Sequence, residues 1–403
     1  MTFKAIQITD KVYWVGAIDW DVRDFHGYLT QRGTTYNAYL VLADTITLID
    51  TVKAPFYDEM MARIASVIPP ERIGCIISNH AELDHSGCLA KVMAAVKPDK
   101  VIASTNGVRT LKAHFHGSLP GEVTAVADGA EVSLGNMTLK FVETRMLHWP
   151  DSMFSYLKEE KLLFSNDAFG MHLASTARYA HEISRDILDY EGRKYYANII
   201  LPYSSFVLKL LQRLPSLNLD IQMILPDHGP IWKQPQDIAW IVGKYAEWAE
   251  QKPTQKAIIL YDTMWESTET MARVIADGLT EGGITAKILN CRTNHRSDVV
   301  TELSDAGALI VGSPTLNNQI FPALLDTLGY IRGLKPRHKL AAAFGSYGWS
   351  GEAPKLLREQ LETMEMEFVG EPLRIQYVPT TTDLQSCREL GLQMAAALKA
   401  KCG

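Results

Sequence analysis

The sequence predicts a two-domain α/β chain: a mixed domain with helices covering sheets, then a doubly wound parallel sheet. Three observations point there. The chain has 403 residues, enough for two to three domains of ordinary size. A short polar stretch, Glu250-Gln251-Lys252-Pro253-Thr254-Gln255-Lys256, follows a helical run and precedes a buried-strand run, which places the division at 1–250 and 251–403. After that break apolar strands and helical patterns alternate regularly, the order of a parallel sheet wrapped by helices.

Taken in order, residues 12–16 are the first strand. Residues 36–42 and 45–50 form a strand pair turning at Ala43-Asp44, residues 55–67 an amphipathic helix, and 73–78 another strand. Strands and helices continue to about Leu225, and 237–250 is helical, with Trp240, Val242, Tyr245 and Trp248 among its apolar residues. Beyond the break the strands are 256–261, 286–290, 308–312, 339–344 and 373–378. The helices are 268–281, 321–334, 354–364 and 383–401.

Composition excludes several classes. Hydrophobic residues make up 47% and charged residues 21%, so wholesale disorder is ruled out. Forty Lys and Arg against 46 Asp and Glu leave a formal charge of −6, which argues against nucleic-acid binding by bulk electrostatics. No apolar run reaches the ~18 residues of a membrane-spanning helix, and the first ten residues lack a signal-peptide core. The five cysteines are odd in number and form no C-x-x-C pair, so neither a disulfide framework nor a local four-cysteine metal site is expected. A reducing cytoplasm is the expected compartment.

The most informative segment is Ser78-Asn79-His80-Ala81-Glu82-Leu83-Asp84-His85-Ser86-Gly87. An apolar strand runs into four potential ligands, and alternation in an extended segment places His80, Glu82 and Asp84 on one side. A lone histidine is most often a hydrogen-bonded structural residue. Four such side chains packed together cost several kcal/mol of desolvation and repulsion without a cation. Three later segments end strands or loops in further ligands: Leu147-His148-Trp149-Pro150-Asp151-Ser152, Phe164-Ser165-Asn166-Asp167, and Pro226-Asp227-His228-Gly229.

H-x-[EH]-x-D-H, a distant His, an Asp ending a strand and a final His resemble the ligand order of the metallo-β-lactamase-like αββα fold. Most hydrolases of that fold carry histidine where this chain has Glu82; the form found here resembles the flavodiiron proteins. The candidate ligands, four imidazoles and three carboxylates, supply a formal −3, and harder anionic oxygen donation favours iron over a zinc pair. The resemblance implies that His80, Glu82 and His148 hold one iron, that Asp84, His85 and His228 hold the other, and that Asp167 bridges. His26, in Phe25-His26-Gly27-Tyr28, resembles a segment lining the diiron pocket, and Tyr195 or Tyr196 is a candidate hydrogen-bond donor to the open metal positions. His114 and His116, read in a polar loop, and His172, His181, His295 and His338 are taken as non-ligands.

In the second half, Thr263-Met264-Trp265-Glu266-Ser267-Thr268 joins the first strand to a helix. Its hydroxyls, loop amides and the positive helix end make a phosphate site, and no Walker loop is present. Two more loops lie at strand ends: Ser313-Pro314-Thr315-Leu316-Asn317-Asn318 and Ser346-Tyr347-Gly348-Trp349-Ser350-Gly351. Ligands of such sheets sit beyond the carboxyl ends of the strands, and aromatic residues there can stack on an isoalloxazine. The set resembles the FMN site of flavodoxins.

Together the halves resemble a flavodiiron protein over essentially the full chain. That implies FMN and two non-haem irons, and reduction of O₂ to water, of NO to N₂O, or both. Reduction of O₂ to two waters needs four electrons, which two ferrous ions and one reduced FMN supply. The chain ends at Gly403 with no rubredoxin module, so a separate rubredoxin-type donor is expected. The family also implies a head-to-tail homodimer or a dimer of dimers. Two rivals are weighed. A binuclear zinc hydrolase fused to a flavodoxin-like domain leaves Glu82 unexplained. A flavodoxin-like carrier with a metal-free first domain leaves the ligand series unexplained.

Overall fold

Short apolar segments in the first half bury both faces, because alternate side chains enter two different cores. The computed structural model describes residues 3–403 and clusters into two units. The first takes in the residues up to Phe25, Thr30–Tyr195 and Tyr203–Ala246. The second takes in His26–Leu29, Tyr196–Pro202 and Glu247–Gly403.

Seven strands of the first unit form one sheet in chain order: β1 (Ile6–Gln7), β2 (Val12–Trp14), β3 (Tyr39–Val41), β4 (Thr47–Ile49), β5 (Cys75–Ser78), β6 (Lys100–Ser104) and β7 (Val123–Val126). The pairs from β1 to β4 are antiparallel, and those from β4 to β7 are parallel. A second sheet comprises β8 (Glu131–Ser133), β9 (Thr138–Glu143), β10 (Met153–Leu157), β11 (Leu162–Asn166) and β12 (Met223–Pro226). Tyr39, Val41, Ile49, Cys75 and Ile77 point between the sheets and meet Phe141, Met153, Phe164 and Leu225. Their neighbours Leu40, Leu48 and Ile76 point the other way, against α1 (Tyr57–Ala65) and the other helices on that face. This period-2 division makes the helix-sheet-sheet-helix layering.

In the second unit the strands are β13 (Lys256–Tyr261), β14 (Thr285–Asn290), β15 (Ala308–Gly312), β16 (Leu340–Tyr347), β17 (Glu367–Phe368) and β18 (Leu373–Gln376). The order is β14-β13-β15-β16-β17, with β18 beside β16, and every pair is parallel. The order reverses between β13 and β15, which opens a crevice at their carboxyl ends. All five cysteines are free, and no helix among the described residues is long and apolar enough to cross a membrane.

Two helices need correction here. His114 is the last residue of a helix, Thr105–His114, not part of a polar loop. The helix Arg296–Ser304 is also absent from the sequence reading. Its nine residues include Val299, Val300 and Thr301, β-branched types that weaken the helical signal.

Candidate metal centre and flavin cradle

The ligand series gathers at one edge of the two sheets of the first unit. Beyond β5, Asn79 is clamped by Asp50, its backbone N–H and side-chain amide each donating at 2.7 Å. The chain does not stay extended, as alternation predicts. Glu82 instead precedes one helical turn, Leu83–Ser86, because the Ser86 N–H reaches back to the Glu82 carbonyl at 2.8 Å. That turn splits the four ligands into two sets.

The loop between β9 and β10 supplies His148, and the Ser104 hydroxyl pins it by donating to the Asp151 carbonyl at 2.7 Å. Asp167 follows β11 directly and His228 follows β12. Gly229, at φ +76°, turns the chain there; a Cβ would meet Met171 Cγ at 2.8 Å.

The resulting cluster has two lobes. His80, Glu82, His148 and Asp167 present one ligand atom each, all within 4.8 Å of one another, and Asp84, His85 and His228 do the same. In the first lobe, His80 Nε2 lies 3.3 Å from Glu82 Oε2 and 3.4 Å from Asp167 Oδ2. His148 Nε2 lies 3.1 Å and 3.3 Å from the same two oxygens. In the second, His85 Nε2 is 3.3 Å from Asp84 Oδ1 and His228 Nε2 is 3.1 Å from Asp84 Oδ2. Asp167 turns its other oxygen, Oδ1, to this lobe, 3.2 Å from His85 and 3.4 Å from His228. A cation held at about 2.0–2.2 Å by N and O ligands needs them about 3.0–3.5 Å apart, which is the spacing found.

The electrostatics agree. The carboxylate oxygens of Asp84 and Asp167 and both ring nitrogens of His85 are buried without hydrogen-bond partners, an arrangement too costly to keep without cations. Burial opposes charge on His80, but Asp151, Glu82 and Asp167 outweigh it and lift the imidazole well above its ordinary range. His85 is lifted likewise against burial by Asp84 and Asp167. Burial would raise Asp167, yet His85, His148 and His80 hold it well below the usual carboxylate range.

Tyr195 lies beside this cluster, its ring 6.1 Å from that of His228 and 5.0 Å from that of His172. His26 and Tyr196 belong to the second unit, where Tyr196 opens a π-helical turn, Tyr196–Ile200. His172, taken as a non-ligand, is outside both lobes but borders them: Thr34 Oγ1 is 2.8 Å from its Nδ1 and 3.3 Å from His228 Nδ1.

Beyond β13 and β15 the second unit has a cavity of about 430 Å³. Met264, Trp265, Ser267, Pro314, Thr315, Leu316, Asn317, Ser346, Tyr347, Gly348 and Trp349, all from the three loops singled out in the sequence, line it. Thr263, Glu266, Thr268, Ser313, Asn318, Ser350 and Gly351, also singled out in the sequence, are not among its lining residues. Thr263 Oγ1 is buried with no partner, and Thr268 Oγ1 is 2.9 Å from Ser346 Oγ. Trp265 and Trp349 are 84% and 89% exposed, faces that a flat aromatic ligand would cover. An orphan hydroxyl beside a helix N-terminus and a wall of aromatic faces fit FMN. The sequence reading missed Tyr377 and Val378, which also line the cavity just beyond β18. The strand-end rule that located the other loops applies to them too.

Residues 34–229 match the family model described as ODP family beta lactamase, and residues 259–391 match flavodoxin. The chain is 46% identical to a rubredoxin-oxygen oxidoreductase of Megalodesulfovibrio gigas over 99% of both chains. It is 43% identical to a nitric oxide reductase of Moorella thermoacetica over 98% of both. Its structure matches a flavodiiron protein from Giardia intestinalis with TM-score 0.94 and 32% identity, covering 99% of this chain and 98% of that one.

The chain belongs to the flavodiiron proteins. It is an oxidoreductase with a metallo-β-lactamase-like first part and a flavodoxin-like second part, as its sequence predicts. The zinc-hydrolase reading is not favoured.

Proposed function

We propose that this flavodiiron protein reduces O₂ to water, NO to N₂O, or both, using FMN and a non-haem diiron pair. The observation that carries the reading is Asp167, whose two oxygens each face one complete lobe of ligands. Two such relatives, a rubredoxin-oxygen oxidoreductase and a nitric oxide reductase, support the two gases.

In this reading His80, Glu82 and His148 would hold one iron, Asp84, His85 and His228 would hold the other, and Asp167 would serve both. The stretch 1–250 holds the metals and 251–403 the flavin. When bound, the irons supply the centre for gas reduction and FMN relays electrons to it. The chain's own groups prepare that chemistry. Four imidazoles direct Nε2 inward, and Glu82 supplies an oxygen where hydrolases of the fold use a nitrogen. Tyr195, whose ring lies 6.1 Å from that of His228, would donate a hydrogen bond near the open metal positions, and the three strand-end loops would hold FMN. A rubredoxin-type protein donates the electrons, and the working form is a cytoplasmic head-to-tail homodimer or a dimer of dimers.

Iron and flavin analysis, followed by stopped-flow oxidation of the reduced protein with O₂ and with NO, tests the reading. Two irons and one FMN per chain, with rapid oxidation by at least one gas, are expected. Two zincs and no flavin, or a reduced protein inert to both gases, would sink it.

A further inference from the structure

We propose that Asp227 is a positioning residue that keeps His85 turned toward the second iron. This rests on the diiron reading above. The observation behind it is the rear nitrogen of the three fully buried inward-facing imidazoles, His80, His85 and His228. His80 Nδ1 lies 3.0 Å from Asp151 Oδ2, and that oxygen also accepts the Ala81 N–H at 2.7 Å, so the ring is firmly held. His228 Nδ1 lies 2.6 Å from the Thr35 carbonyl oxygen.

His85 is held differently. Its Nδ1 is 3.4 Å from Asp227 Oδ2, ion-contact range but too long for a strong hydrogen bond. Neither ring nitrogen of His85 and neither carboxylate oxygen of Asp227 has a hydrogen-bond partner among the described residues, and both side chains are fully buried.

The two backbones leave little freedom. The Asp227 N–H donates to the Asn166 carbonyl at 2.8 Å, and the Asp227 carbonyl accepts from Asn37 at 2.7 Å. The His85 carbonyl accepts the Thr51 N–H at 3.1 Å and the Thr51 hydroxyl as well. What remains free is rotation of the imidazole. An acceptor behind Nδ1 fixes the proton there and leaves the Nε2 lone pair facing forward. Without one, the ring can place its proton on Nε2 or turn away, and the second lobe keeps only Asp84 and His228 besides the bridge. Asp151 and the Thr35 carbonyl secure their rings outright; Asp227 is a looser latch, so His85 is the most loosely held of these three rings.

The test compares full-length iron-loaded wild type with Asp227→Asn and Asp227→Ala, each with and without His85→Ala. Iron affinity is read by chelator competition, and the two iron environments by Mössbauer spectroscopy. Asp227→Ala should weaken one of the two irons by roughly 10–100-fold, the usual effect of losing an outer partner. Asp227→Asn should weaken it about 3–10-fold, because the amide oxygen still accepts from Nδ1. In the His85→Ala background the same changes should add less than about twofold, and Asp227→Ala should give the spectrum of His85→Ala.

Equal weakening with and without His85 overturns the proposal, since Asp227 would then act through the fold or His228. So does unchanged iron binding in Asp227→Ala. If Asp227→Ala yields no folded flavoprotein, Asp227→Asn decides, and wild-type affinity for both irons overturns the proposal. A wild type that holds no iron sinks the diiron reading instead, a result separate from any of these.

Discussion

In the first unit, four imidazoles and three carboxylates converge on two lobes, and the oxygens of Asp84 and Asp167 there are buried without hydrogen-bond partners among the described residues. In the second, none of the residues lining the cavity carries a charge. The contrast follows from the ligands. A small multivalent cation repays the desolvation of every charge prepared for it, so charges can be assembled in advance. A flat flavin ending in phosphate can be held by neutral donors, a helix N-terminus and aromatic faces, none of which repel one another when the cavity is empty.

The contrast can be broken most directly at Asp167. Asp167→Ala should empty both iron sites, lower O₂ or NO reduction by more than about 100-fold, and leave one FMN per chain. Metal analysis and the visible flavin band report the two cofactors separately; loss of both together would mean that the units do not load independently.

Glu82→His removes one carboxylate from the first lobe. Iron content relative to zinc should fall on growth with equal supplies of both metals, and turnover should fall on the order of tenfold. Two irons and undiminished turnover would show that the anionic set matters less than its geometry.

Thr263→Val probes the other side. Replacing its orphan hydroxyl by a methyl should raise the FMN dissociation constant about 3–10-fold, equivalent to about 1 kcal/mol, and spare iron. Thr268→Val should also weaken FMN, and because the Thr268 hydroxyl pairs with Ser346, part of its effect should come from that contact. If neither variant changes FMN affinity, the phosphate lies elsewhere.

The smallest effect is the sharpest test of an uncharged cradle. A tenfold rise in salt should change FMN affinity by less than about twofold, because no lining charge is there to be screened. A steep salt dependence would reveal a cation acting from outside the cavity wall.

The candidate ligands were legible because several ligand-type residues recur in order after strands or in the loops between them. It did not reveal how His80 and Glu82 part from Asp84 and His85. That separation comes from the helical turn Leu83–Ser86, too short to leave a periodic signal. Asp227 was visible only as a turn aspartate beside His228, since its contact with His85 joins residues 142 positions apart. In the second unit the positions of five strands and two loops were legible from alternation, and the third loop from strand–loop–helix chemistry, but the spatial order of the strands was not. Tyr377 and Val378 escaped notice because the last strand was read through them to residue 378, whereas it ends at Gln376.

One carboxylate serving two lobes has a consequence for how the protein fills. On the proposed diiron reading, the first ion to arrive would fix Asp167 and orient its other oxygen toward the second lobe, while taking up part of the negative charge that draws the second ion. The two loadings would therefore be coupled by the same factor in either order. Loading with one ion per chain reads the sign: fully charged and empty molecules where orientation prevails, singly loaded molecules where charge does.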